Sequence, residues 1–267
     1  LAVLVAAAAT AQPRQRVDKA ADLPRFNYRI DGKVEDVVRD DAKFQAFAAQ
    51  VKRDFESVLA RHEIPDKSVE RGYLATLAQI DYLDGNHDAA LARLDRLQAL
   101  EEKPADKLLS GITMRTLVGA ERKAGGRGTD AWRQEVARQL RAALDAMPYA
   151  VVQNDVRELK ASAEIVSAPL VLGGLRERLQ PIVDKSGALS SDFAPAVVAA
   201  RYRLTSTIPA QQPIVDALAG YLAANKVDKP DIWAARDVAL PVGRGYSPVN
   251  VGIWDSGVDI ALFRGRV

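Results

Sequence analysis

The chain has 267 residues, of which 48% are hydrophobic and 27% charged; these are ordinary globular values and leave room for one large domain or two smaller ones. Thirty-seven basic residues against 35 acidic ones give a net charge of +2, with no case for the clustered basic face that nucleic acid requires. There are no cysteines, which excludes disulfides, thiol catalysis and cysteine–metal sites.

Residues 1–11 form a short apolar run that closes on Ala9-Thr10-Ala11, a small-x-small pattern before Gln12-Pro13. This resembles the apolar core and cleavage site of a secretory signal peptide, here without an initiator Met or basic front end. The expected location is therefore secreted or periplasmic. The run is too short to span a bilayer, which takes about 20 residues, and no other window is long and apolar enough for a membrane helix. Residues 12–40 are mixed and polar, with Pro13, Pro24 and Gly32. They read as a linker holding one short extended piece at 26–30.

From residue 41 the pattern turns helical. Asp40 or Asp41 offers an N-cap. Phe44, Phe47, Val51, Phe55, Val58 and Leu59 then recur at spacings of three and four, the apolar stripe of one helix. Three phenylalanines on that stripe predict core packing against neighbouring helices. Over 68–103, Tyr73, Leu74, Leu77 and Ile80 give one helical face, ended by Gly85, and Ala89, Ala90, Leu91, Leu94 and Leu97 give the next, ended before Pro104. The positions of Leu77, Gly85, Ala90, Leu94 and Pro104 make this hairpin resemble a tetratricopeptide (TPR) repeat. Only one copy is clear, whereas a solenoid needs about three, so the expectation is a single helical hairpin inside a helical domain.

A further helix is predicted over 105–123, with Gly111 weakening it modestly. The loop Ala124-Gly125-Gly126-Arg127-Gly128 lacks a preceding strand and a Lys-Ser/Thr, so it is no phosphate loop. Thr129 or Asp130 caps a helix carrying Trp132, Val136, Leu140 and Leu144, stopped by Pro148. Four more helices are expected from 149 to 224: one around Val152 and Val156, one around Leu175, Leu179 and Ile182, one capped by Ser190, Ser191 or Asp192, and one opened by Pro213. No period of two appears there. His62 and His87 have no second ligand at metal spacing and read as surface or capping residues.

The segment 241–248 is rich in Pro and Gly and reads as a linker. After it, Val249, Val251, Ile253 and Trp254 predict a strand, which stops at Asp255-Ser256-Gly257-Val258. In open α/β sheets, ligand and catalytic groups collect at the carboxyl ends of strands. This strand and motif resemble the catalytic-aspartate segment of the subtilisin-like serine peptidases, the subtilases. The likeness runs on through Leu262 and Gly265. It implies that Asp255 is the triad aspartate, which accepts the imidazole N–H and stabilises the imidazolium. Ser256 offers a hydroxyl donor to that carboxylate, and Gly257 permits a close approach. Asp259 is not required by the motif, and Ser256 has no base placed to make it a nucleophile.

The family's order is Asp, His, Ser along the chain, and the two histidines here precede Asp255. The resemblance thus implies the front part of a longer precursor, with the triad His and Ser beyond Val267 and no triad hydrolysis by these residues alone. No cofactor is implied within them, and the calcium that the family often binds would belong to the catalytic domain. The expected fold class is mainly α, followed by the first strand of an incomplete α/β subtilisin-like domain. The expected order is signal-peptide remnant 1–11, linker 12–40, helical domain 41–240, linker 241–248 and start of the peptidase domain 249–267. The expected partners are a peptide or protein substrate, through the catalytic domain, and for the helical domain either that catalytic domain or another protein. The alternative is a TPR-like binding module or intramolecular pro-region without a catalytic role.

Overall fold

The computed structural model describes residues 14–226, together with 241, 243–245, 247, 249, 250 and 252. Its described part is mainly helical, with twelve α-helices and four very short strands. The chain divides into two compact units, 1–226 and 227–267.

The expected linker at 12–40 is instead built into the fold from its first described residues. β1 (Gln15–Arg16) pairs in parallel with β3 (His62–Glu63). β2 (Asn27–Arg29) falls inside the extended piece expected there and pairs antiparallel with β4 (Ala188–Ser190). α1 (Val34–Arg39) follows. Val17, Leu23, Tyr28, Ile30, Val34 and Val38 are buried. They are spread too thinly among polar neighbours to show a period, and only the partner across β4 supplies the missing half of the pattern.

α2 (Asp41–Arg61) is capped by Asp40, whose carboxylate accepts from Lys43 N at 2.9 Å. Phe44, Phe47 and Phe55 are buried, as the stripe predicts. α3 (Lys67–Leu83) and α4 (His87–Leu100) form the expected hairpin, and Gly85 takes the left-handed φ of +76° just past the end of α3. Beyond it, helix 105–123 is not continuous. Gly111 adopts φ +69° and splits it into α5 (Pro104–Leu109) and α6 (Ile112–Ala124). Leu94 lies so close that a Cβ on Gly111 would stand 2.8 Å from its Cδ1. Close packing has thus turned a weak helix position into a break.

α7 (Asp130–Asp145) is capped by Thr129, whose hydroxyl accepts from Trp132 N at 3.1 Å. α8 (Tyr149–Ile165) follows. The helix expected around Leu175 is broken at Leu179 into α9 (Ala168–Arg178) and α10 (Gln180–Ser186), because Pro181 removes a donor and favours a new helix start. Ser190, Ser191 and Asp192 do not cap α11 (Ala194–Tyr202), which has no side-chain cap. Ser191 Oγ accepts from Phe26 N instead, at 3.2 Å, extending the β2–β4 pairing. A π-helical turn (Arg203–Thr207) leads to α12 (Gln211–Ala224), in which Pro213 is the third residue and not the first.

Two apolar cores result. The first gathers the N-terminal segment, α1, α2, α9, α11 and one face of α3 through Leu74, Leu77 and Ile80. The second gathers α4, α6, α7, α8, α12 and the other face of α3 through Ala78 and Tyr82. Helix α3 is therefore the shared wall. No helix among the described residues is long and apolar enough to cross a membrane.

Candidate functional site

Asp255, Ser256 and Gly257 lie outside the described residues. Among the described residues, the densest polar chemistry sits where α3, α4, the loop after α6 and the π-helical turn meet. Glu121, on α6, is only 7% exposed. It accepts a hydrogen bond from the Tyr82 hydroxyl and pairs with Arg127 Nε at 2.9 Å. His87 Nε2 stands 3.2 Å from its other oxygen, although not in hydrogen-bonding geometry.

Aromatic rings hold this cluster in place. The Tyr82 ring stacks on the His87 imidazole at 5.6 Å and meets the Tyr202 ring edge-on at 5.3 Å. The Arg127 guanidinium lies 4.5 Å above the Tyr82 ring centroid, a cation–π arrangement. Arg127 also reaches the Tyr82 carbonyl at 3.4 Å and Ser206 Oγ at 3.5 Å. The π-helical turn brings Ser206 there. Ile208 N donates five residues back to Arg203 O at 2.9 Å, while Pro209 has no N–H with which to continue an α-helical ladder. Such turns often occur at functional sites.

Outside this cluster opens a cleft of about 230 Å³, lined by Asp41, Phe44, Asp84, Arg127, Arg201 and Thr205 among others. Arg201 is fixed as firmly as Arg127. It donates to the Val38 carbonyl at 2.9 Å and pairs with Asp41, while its guanidinium lies 5.5 Å from the Phe44 ring centroid. Burial pushes the Asp84 carboxyl upward, against the pull of Lys52. The cleft therefore presents two fixed cations and two carboxylates to whatever enters.

Neither the cluster nor the cleft supplies a hydrolytic set. Burial, and then the bond to Glu121, pushes the Tyr82 phenol well above its ordinary value, so it keeps its proton at neutral pH. The Thr205 hydroxyl donates back to Arg201 O at 2.9 Å and has no base beside it. Among the described residues no group of His, Asp and Glu could hold a metal ion. The groups facing the cleft suit recognition of polar groups.

The two histidines separate. His62 caps the end of α2, with Nδ1 3.0 Å from Val58 O, as a capping residue should. His87 is half-buried, its ring stacked on Tyr82 and its side chain 19% exposed. Sequence reasoning also passed over Glu121 and Arg127. The signal was present: Glu121 continues the buried stripe of Leu117, Val118 and Ala120, where an unpaired carboxylate would be costly.

No protein-family model, curated protein or solved structure matches this chain.

Proposed function

We propose that the chain is the N-terminal part of a secreted subtilisin-like serine endopeptidase and that Asp255 is the aspartate of its Asp-His-Ser triad. The observation that carries this reading is the segment 249–258, a run of β-branched and aromatic residues ending in Asp255-Ser256-Gly257-Val258. The reaction is acyl transfer. Asp255 orients and charges a histidine, which takes the proton of a serine, and both partners are supplied beyond Val267. Calcium, where the catalytic domain uses it, belongs to that domain. The apolar run at 1–11 directs export, and the mature protein begins at Gln12.

The test uses the protein with its downstream sequence. Asp255→Asn lowers kcat on a peptide substrate by about 10⁴ and leaves the thermal midpoint of 14–226 unchanged, while residues 1–267 alone show no turnover. Full activity of Asp255→Asn, or a reading frame lacking a downstream histidine and serine segment, defeats the proposal. N-terminal sequencing of the exported protein checks the cleavage at Gln12.

A second reading makes the helical domain a binding module, TPR-like in its α3–α4 hairpin. The observation favouring it is the cleft between fixed Arg127 and Arg201, which holds recognition groups and no nucleophile–base pair. Cross-linking of residues 1–267 to the separately expressed catalytic domain distinguishes a pro-region from a docking module for another protein.

A further inference from the structure

Separate from the Arg127 cleft, two hollows of about 440 Å³ each lie side by side. They share Gln79 of α3, Thr113 of α6, Leu159 and Ser162 of α8, and Tyr202 of α11. Together they form one trough. Its first half is walled by Ile165, Val166, Leu170 and Ile214. Ile165 and Leu170 are 70% and 57% exposed, an unusual placement for large apolar side chains at a helix junction. The second half is bounded by Asp106, Asp155 and Glu158 as well as by apolar groups.

Two features of this trough are unaccounted for by folding. Tyr202 is 7% exposed and lines both hollows, and its hydroxyl has no hydrogen-bond partner among the described residues. A buried phenol left so costs about 1–3 kcal/mol. The other feature is charge. Asp106, Asp155 and Glu158 come from two helices to one end of the trough, and none of them has an ion-pair partner among the described residues. By contrast, most other carboxylates on α2 to α7 are paired. The trough adds Gln79 and Thr113, half-buried side chains whose donors and acceptors have no side-chain hydrogen bond among the described residues.

We propose that this trough binds a short extended peptide segment carrying a lysine or arginine beside apolar side chains. The cation sits at the Asp106, Asp155 and Glu158 end, and the apolar side chains follow between Leu159 and Leu170. The amide of Gln79 both donates and accepts, which suits a peptide bond and not a fatty-acid head. The three carboxylates repel an anionic head at their end of the trough, while Arg203 lines the other hollow. A cationic amphiphile would satisfy the charge but would leave Gln79 and Thr113 unmatched. The inference needs only the helical domain and stands apart from the role of Asp255.

Fluorescence anisotropy on residues 1–267 tests it with a labelled peptide of one lysine next to alternating leucines, and with its twin carrying glutamate for the lysine. The lysine peptide binds saturably, and the glutamate twin binds at least about tenfold more weakly, the scale of one favourable charge contact against a repulsive one. The preference shrinks as salt rises. Asp155→Asn with Glu158→Gln abolishes the preference, and Gln79→Leu weakens both peptides severalfold; each variant is checked for an unchanged thermal midpoint. Equal binding of the twins, no saturation up to millimolar peptide, or displacement of the peptide by dodecyltrimethylammonium at lower concentration overturns the proposal. The peptide pair on the unaltered chain decides the matter even where a variant fails to fold.

Discussion

Asp81 and Tyr82 are neighbours on α3, yet they serve two different polar networks. Asp81 is fully buried and pairs with Lys52 of α2 and with Arg93 of α4, which also holds Glu56. These helices are already successive in the chain. The cations are only partly enclosed, Lys52 at 26% and Arg93 at 20% exposure. Tyr82 joins Glu121, Arg127, His87 and, through Arg127, Ser206, so it ties α3 to segments far along the chain. The first network staples local helices, and the second closes the domain. What each contributes depends on whether its partners can return to water once the link is cut.

That contrast sets the order of expected effects. Glu121→Ala leaves the fully buried Tyr82 hydroxyl without its carboxylate inside the second core, whereas Arg127, 30% exposed, can turn to water as Lys52 and Arg93 can. It costs about 3 kcal/mol, the upper end for leaving a buried polar group unsatisfied. Urea unfolding, with the slope held fixed, measures this. Asp81→Ala costs about 2 kcal/mol, because Lys52 and Arg93 can swing outward and recover hydration. An equal or reversed order by urea unfolding breaks the comparison, since it would mean that enclosure of the partners does not govern the cost.

How much of this could be read in advance differs between the two networks and between the two cores. The Phe44–Phe47–Phe55 stripe, the Asp40 and Thr129 caps and the Gly85 stop are local signals, and each is met in the structure. Most of the failures are settled by contacts distant in sequence. Tyr28 and Ile30 looked like linker residues because their partners at 188–190 are remote. The break at Gly111 needed Leu94 in place, whereas that at Leu179 is local, set by Pro181 two residues on. The π-helical turn has no periodic signature at all. Glu121 was legible only as a carboxylate on an apolar stripe, and its partners were not. The Asp255 motif is the reverse case: a strong local pattern that lies outside the described residues.

Gly111 allows the local and the distant contributions to be weighed against each other. Its φ of +69° disfavours any side chain, and Leu94 occupies the space a methyl would need. Gly111→Ala therefore costs about 1–2 kcal/mol, strain and crowding together. Gly125, also left-handed at φ +74° but with open space beside it, costs only the strain, about 1 kcal/mol. Thermal midpoints of the two variants separate the contributions. A Gly125→Ala loss as large as that of Gly111→Ala would show that Leu94 yields freely and that close packing does not enforce the α5–α6 break.

The finest test comes from alkaline pH. Burial raises the Tyr202 phenol above its ordinary value, with the Glu121 charge adding to the rise and Arg127 opposing it. Above about pH 10 the unfolded chain releases that proton while the folded chain keeps it. The unfolded state then binds fewer protons, so stability is intact below pH 10 and falls as pH climbs toward the folded value, by up to about 1.4 kcal/mol per pH unit for each such tyrosine. Tyr28 in the first core is raised in the same way, by burial and then by Asp54. Tyr202→Phe removes a hydroxyl that has no partner, so it costs little at pH 7 and flattens the alkaline slope by about one tyrosine. Urea midpoints from pH 8 to 11 show this. An unchanged slope would mean that the second core admits water to Tyr202, and the enclosure that ranks Glu121 above Asp81 would fall with it.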